Sequence, residues 1–99
     1  MPRFGTRSKS RLHTCDERLQ DLFKEVVKSF DCTVLEGYRG KEKQNAAYKK
    51  GNSKLKYPKG KHNKMPSVAV DVIPYPIDWE DRDRMHYFAG FVLGIAKKR

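Results

Sequence analysis

Several things are scarce in this sequence, and each shortage narrows what the chain can be. There are only two cysteines, Cys15 and Cys32. They are too few for a disulfide framework and lack the close spacing of paired metal ligands. No uninterrupted apolar run is long enough to span a bilayer. Met1–Ser10 is basic and polar where a secretory signal needs an apolar stretch. The expectation is a soluble chain made in the cytoplasm, with no membrane partner and with its thiols reduced. At 99 residues the chain is expected to form a single small domain (1–99). A fold of this size buries only about 60% of its unfolded surface, so a bound metal would add useful stability.

Acids are scarce too. Twelve aspartates and glutamates face 22 lysines and arginines, a formal charge of +10. The excess is concentrated: Lys49–Lys64 carries seven lysines and no acid, whereas Asp71–Asp83 carries five acids and one arginine. Such a segment attracts nucleic acid, anionic lipid or acidic polymers, and charge alone does not choose among them.

Against that background the ordered elements stand out. Thr14 and Glu17 have capping-box spacing. Leu19, Leu22, Phe23, Val26, Val27 and Phe30 follow as an apolar stripe recurring at three and four, which predicts a long helix. Cys32–Leu35 reads as a short buried strand. Lys41–Lys50 reads as a second helix with Ala46, Ala47 and Tyr48 inside and Gly51 as its stop. Asn52–Lys64 has no apolar periodicity and reads as a basic loop, long enough to be functional. Val68–Ile73 reads as a second strand, stopped by Pro74 and Pro76.

A last helix is expected from near Asp78 toward Lys97, with Met85, Phe88, Ala89, Val92, Ile95 and Ala96 buried. Its Gly90 and Gly94 suggest close approach of another backbone. The element order predicts an α+β fold, a small, mainly antiparallel sheet packed with three helices. Two strands alone are marginal in water, which suggests that further strands follow.

His62 and Asp71 are the candidate chemical pair. His62 lies just ahead of the second strand, and Asp71 interrupts its apolar run. A carboxylate inside a strand core is costly unless paired or holding a metal. Imidazole and carboxylate are both common ligands of catalytic zinc. A buried Asp71 paired with a lysine or arginine is the alternative.

Ser53-Lys-Leu-Lys56, Lys61-His62-Asn63 and Pro66-Ser-Val-Ala-Val-Asp71-Val72 together resemble the zinc signature of one peptidase family. It comprises the D-alanyl-D-alanine carboxypeptidases and the L-alanyl-D-glutamate endopeptidases used as phage endolysins. Pro74-Tyr-Pro-Ile-Asp-Trp79, Leu35-Glu-Gly-Tyr-Arg39 and Gln44-Asn-Ala-Ala-Tyr48 are similar to the small endolysin branch. The resemblance runs from about Leu19 to Ala96. It implies a zinc metallopeptidase acting on peptidoglycan stem peptides, with Zn2+ on His62 and Asp71. Arg39 would stabilise the developing oxyanion, a role that suits a fixed guanidinium. An endolysin would accumulate in the host cytoplasm and act on the wall after the membrane is breached.

Two departures qualify the resemblance. Eight residues separate His62 from Asp71 where the common motif has six. The segment that supplies the family's third ligand, a histidine, and its general base is not found before Arg99. The chain is therefore expected to be a truncated, completed-in-trans or inactive form with little activity of its own. Asp83-Arg-Met-His86 imitates the missing spacing but matches an intervening helix, so His86 is expected to be a partly buried helix residue. His13 is expected to face solvent. Two other readings stand beside the peptidase. One is a basic nucleic-acid-binding module, disfavoured because no recognition motif accompanies the charge. The other is a non-catalytic cell-wall-binding protein.

Overall fold

The computed structural model describes residues 2–98. Its elements are α1 (Thr6–His13), α2 (Glu17–Ser29), β1 (Cys32–Glu36), α3 (Lys41–Lys49), a 3-10 turn at Lys61–Asn63, β2 (Asp71–Pro74) and α4 (Arg82–Lys97). The α+β expectation holds, with four helices in place of three and one two-stranded antiparallel sheet.

The additional helix, α1, has no apolar stripe to announce it. Leu12 and Ser8 are its only buried residues. Ser8 compensates for its burial by accepting a hydrogen bond from the Val34 amide at 3.1 Å, which docks α1 on β1. Thr14 closes α1 and does not cap α2. Its hydroxyl donates to the Arg11 carbonyl at 2.7 Å and accepts from the Tyr38 amide at 2.8 Å. Asp16 is the cap of α2, accepting from the Arg18 amide at 2.9 Å. From there the predicted stripe performs as expected. Phe23, Val26 and Val27 are buried against Leu12, Cys15, Cys32, Val34 and Phe88, with Leu19, Leu22 and Phe30 packed around them. Both thiols are free and buried. Burial raises the Cys15 pKa, and pushes that of Cys32 up to about 12 with the Asp31 charge assisting.

β1 and β2 pair as Cys32↔Pro74, Thr33↔Ile73, Val34↔Val72 and Glu36↔Asp71, with an irregularity between Val34 and Glu36. The second strand starts and ends later than Val68–Ile73, at Asp71–Pro74, and Pro74 pairs with Cys32 instead of stopping it. Ser67 donates its amide to Thr14 at 2.8 Å and accepts from the Asp16 amide at 2.7 Å. The segment is thereby tied to the α1–α2 corner, and sheet pairing begins only at Asp71.

α3 turns a different face inward from the one its alanines predict. Ala46 and Tyr48 are exposed and Ala47 is half-buried, while Gln44 is the buried residue. Gly51, at φ +81°, ends the helix in the left-handed conformation that glycine adopts without strain.

α4 begins at Arg82 and not near Asp78. Asp81 caps it, accepting from the Arg84 amide at 3.0 Å, whereas Asp78 closes a separate turn onto the Glu80 amide. Phe88 is buried, Met85, Val92 and Ile95 are half-buried, and Ala89, Ala96 and His86 are exposed. A Cβ at Gly90 or Gly94 would meet open space, so no backbone packs there. Phe30 anchors the helix to α2 through ring contacts with Tyr87, Phe88 and Phe91 at 5.9, 5.0 and 5.8 Å. No helix among the described residues is long and apolar enough to cross a membrane.

Candidate metal centre

The site lies where the sheet irregularity, the turn after β1 and the 3-10 turn converge. β1 ends at Glu36, directly opposite Asp71, so two carboxylates come together on adjacent strands. Like charges facing each other across a strand pair are unfavourable unless a cation lies between them. One cation, Arg39, and one imidazole, His62, stand beside them. Arg39 donates through Nε to Glu36 Oε1 at 2.8 Å and through Nη2 to the same oxygen, and Nη2 lies 3.9 Å from Asp71 Oδ2. His62 Nε2 lies 3.6 Å from Asp71 Oδ1.

The imidazole is oriented by its other nitrogen. Nδ1 lies 2.7 Å from the Gly37 carbonyl oxygen, which can only accept, so Nδ1 carries a proton. In the neutral ring this leaves the Nε2 lone pair aimed at the carboxylates. A metal-binding histidine characteristically has its free N–H held in this way. Gly37 can serve because it is glycine. A Cβ there would fall 2.9 Å from Cys15 Sγ and collide with Arg11 and Thr14.

Glu36, His62 and Asp71 each offer a ligand atom, and these atoms all lie within 4.8 Å of one another. One nitrogen and two carboxylate oxygens form a donor set suited to a catalytic divalent cation, zinc among them. The residues therefore fit a metal.

The structure thus brings together His62, Asp71 and Arg39, all singled out from the sequence. It also corrects the argument that led to one of them. Asp71 is not a carboxylate inside a strand core: it opens β2 and its side chain is 52% exposed, so desolvation does not demand a partner. Arg39, in contrast, is no loose surface residue, with a side chain only 16% exposed. His86 and His13 are exposed and outside the cluster.

Glu36 was missed. It stands within Leu35-Glu-Gly-Tyr-Arg39, but only the strand register reveals that it faces Asp71.

A second layer holds these groups. Arg39 Nη1 donates to Gln44 Oε1 at 3.0 Å. Asn63, next to His62, donates through Nδ2 to the Arg39 carbonyl at 2.8 Å and to Gln44 Oε1 at 3.1 Å. The Arg39 amide donates to the His62 carbonyl at 2.7 Å. The turn and the loop are therefore stitched together on either side of His62.

Comparison with known proteins bears on the fold and the family. The fold matches the crystal structure of the Serratia marcescens L-Ala D-Glu endopeptidase ChiX with a TM-score of 0.79 at 22% identity, covering 98% of this chain and 74% of that one. No curated protein sequence matches significantly. A family profile described as phage L-alanyl-D-glutamate peptidase matches residues 1–98. The chain belongs to the phage L-alanyl-D-glutamate peptidase family.

Proposed function

We propose that this protein is a zinc-dependent peptidase that hydrolyses the L-alanyl–D-glutamate bond of peptidoglycan stem peptides. The observation that carries this reading is the convergence of Glu36, His62 and Asp71 beside a held arginine, in a chain of that peptidase family. His62 and Asp71 would hold the metal, with Glu36 the third donor within reach. Bound zinc would supply a water acidified to near neutral pH and a Lewis acid for the scissile carbonyl.

The chain's own residues do the remainder. Gly37 keeps the His62 lone pair pointed at the site through the Nδ1 hydrogen bond. Asp71 is half-exposed, so its face of the cluster is open to a peptide. The Arg39 guanidinium is fixed at one edge by Glu36 and at another by Gln44. Nη2 lies 3.9 Å from Asp71 Oδ2, close enough to the cluster to meet negative charge that would develop on a carbonyl oxygen as the amide is attacked. A donor fixed in advance pays no reorganisation at that moment, which makes it more effective than solvent.

The basic loop supports the same substrate. All seven lysines from Lys49 to Lys64 are exposed, and the loop leads directly into His62. An anionic wall polymer would be concentrated near the site by this charge, with an effect that weakens as salt rises.

The test is digestion of purified peptidoglycan with added zinc, read by mass spectrometry of the released peptides. The reading expects peptides with a new amino-terminal D-glutamate, released at the low rate that the resemblance implies for this chain. It expects His62→Ala to lose both the metal, measured by native mass spectrometry, and the cleavage. Metal retained at undiminished affinity in that variant would sink the assignment of His62.

A further inference from the structure

Gln44 is a side chain for which neither charge nor apolar packing accounts. It is 1% exposed and the only buried residue of α3, a helix whose other positions face solvent or are half-buried. An apolar residue there would avoid the cost of burying an amide. The amide is instead fully used. Oε1 accepts from Arg39 Nη1 at 3.0 Å and from Asn63 Nδ2 at 3.1 Å. Nε2 donates to Ser53 Oγ at 2.9 Å and to the Leu55 carbonyl at 2.5 Å. One side chain thus joins Arg39 to both ends of the basic loop, at Ser53–Leu55 and beside His62.

The surroundings are shaped to let it do so. Gly60 closes over the amide, and a Cβ there would lie 3.1 Å from Gln44 Oε1 and 2.7 Å from Asn63 Oδ1. The Gly60 amide donates to that same Asn63 oxygen at 2.8 Å. Arg39, Gln44 and Asn63 therefore form a closed ring of hydrogen bonds in a region where a substitution with even one carbon has no room.

A guanidinium held at one edge still has freedom at the other. Glu36 engages the Nε–Nη2 edge of Arg39, and among the described residues Gln44 is what holds Nη1. We propose that Gln44 is a positioning residue, acting through Arg39: it fixes the plane of the guanidinium and locks the loop that carries His62 to it. The inference rests on the peptidase reading for its catalytic consequence, but the positioning itself is measurable without turnover.

The chemistry of the amide designs the test. Gln44→Leu removes all four hydrogen bonds. Gln44→Glu keeps two acceptors for Arg39 and Asn63 but cannot donate to the Leu55 carbonyl. Nitrogen-15 NMR of the arginine side chains, in the full chain, reads the outcome. In the wild type the Arg39 Nε–H and Nη–H signals should be distinct and slow to exchange with water. They should broaden or vanish in Gln44→Leu and persist in Gln44→Glu, in which only amides near Ser53–Leu55 become faster to exchange. Arg39 signals that remain as protected in Gln44→Leu as in the wild type would overturn the proposal. Should Gln44→Leu fail to fold, loss of the Arg39 signals in a folded Gln44→Glu would overturn it equally.

Turnover adds a second reading. Removing a transition-state donor costs about 10²-fold or more in kcat, so a misaligned one should cost at least about tenfold, with KM within about twofold. That loss should disappear in an Arg39→Ala background, where there is no guanidinium left to position. A loss of equal size with and without Arg39 would contradict the inference. Failure of the peptidase reading would look different: the wild type would release no peptide while the NMR signature of Arg39 stood.

Discussion

The two halves of this small fold are held by different forces. Around α2 and β1 the contacts are apolar, with Val26 and Val34 wholly buried and Phe23 and Phe88 nearly so. From Asn52 to Ser67 the chain has scarcely any buried apolar side chain, and its fully enclosed members are Gly60, Asn63 and Ser67. That segment is held by side-chain hydrogen bonds from Gln44, Asn63, Asn45 and Ser53. Burial is non-directional, whereas hydrogen bonds depend on both distance and angle. The apolar half sets whether the protein folds; the polar half sets where its chemical groups point.

Substitutions can break this contrast. The largest effect is expected in the apolar half. Phe23→Ala should cost about 3–5 kcal/mol, as large-to-small changes of a buried phenylalanine generally do. In a domain of this size that lowers the thermal midpoint by well over ten degrees, and fold and site should be lost in one transition. A Phe23→Ala protein that lost metal binding at a temperature where its circular dichroism was still native would contradict this division.

Asn63→Ala should behave in the opposite way. It leaves buried partners of a hydrogen-bond network unsatisfied, a cost of about 1–3 kcal/mol. Its helical signal should survive while metal affinity falls, because Asn63 adjoins His62 and fastens it to Arg39. Equal, parallel losses of helix content and metal affinity on heating would show that the two halves are not separable.

The effect that is smallest at neutral pH is an alkaline pH dependence confined to the apolar half. The fold holds the Cys32 thiol protonated, with its pKa raised to about 12 from an ordinary value of 9.0. The folded state therefore binds this proton more tightly than the unfolded chain. Its contribution is fully present below about pH 9 and is lost as pH climbs toward 12. Cys32→Ala should flatten that alkaline decline, followed by urea titration across the range. A thiol that reacts with Ellman's reagent at pH 8 as fast in the native protein as in urea would refute its burial.

How much of this could be read from the sequence follows the same division. The α2 stripe was legible because burial imposes a period on residue type, and Phe23, Val26 and Val27 are indeed inside. α1 was not, because it buries only Ser8 and Leu12 and carries too few apolar residues to show a period. α3 was found with the wrong face inward, since apolarity points to Ala46 and Ala47 whereas the helix is anchored by an amide. His62 and Asp71 stood out by residue type and Arg39 by motif resemblance, and the fold brings the three side chains together. The desolvation argument for Asp71 failed because the strand begins at that residue. Glu36 escaped notice because its partner depends on a sheet irregularity that no local pattern encodes.

Gly37 sits on the border between the two halves. Its carbonyl holds the His62 imidazole, while its Cα rests against the corner formed by Arg11, Thr14 and Cys15. A cation gripped by His62 would thus pull, through a single residue, on the junction of α1, α2 and β1. Any ligand that binds only the folded state raises its stability by mass action. Here the added grip would be felt first at that corner, so the slowest-exchanging amides of the apolar core should report on whether the distant imidazole is engaged.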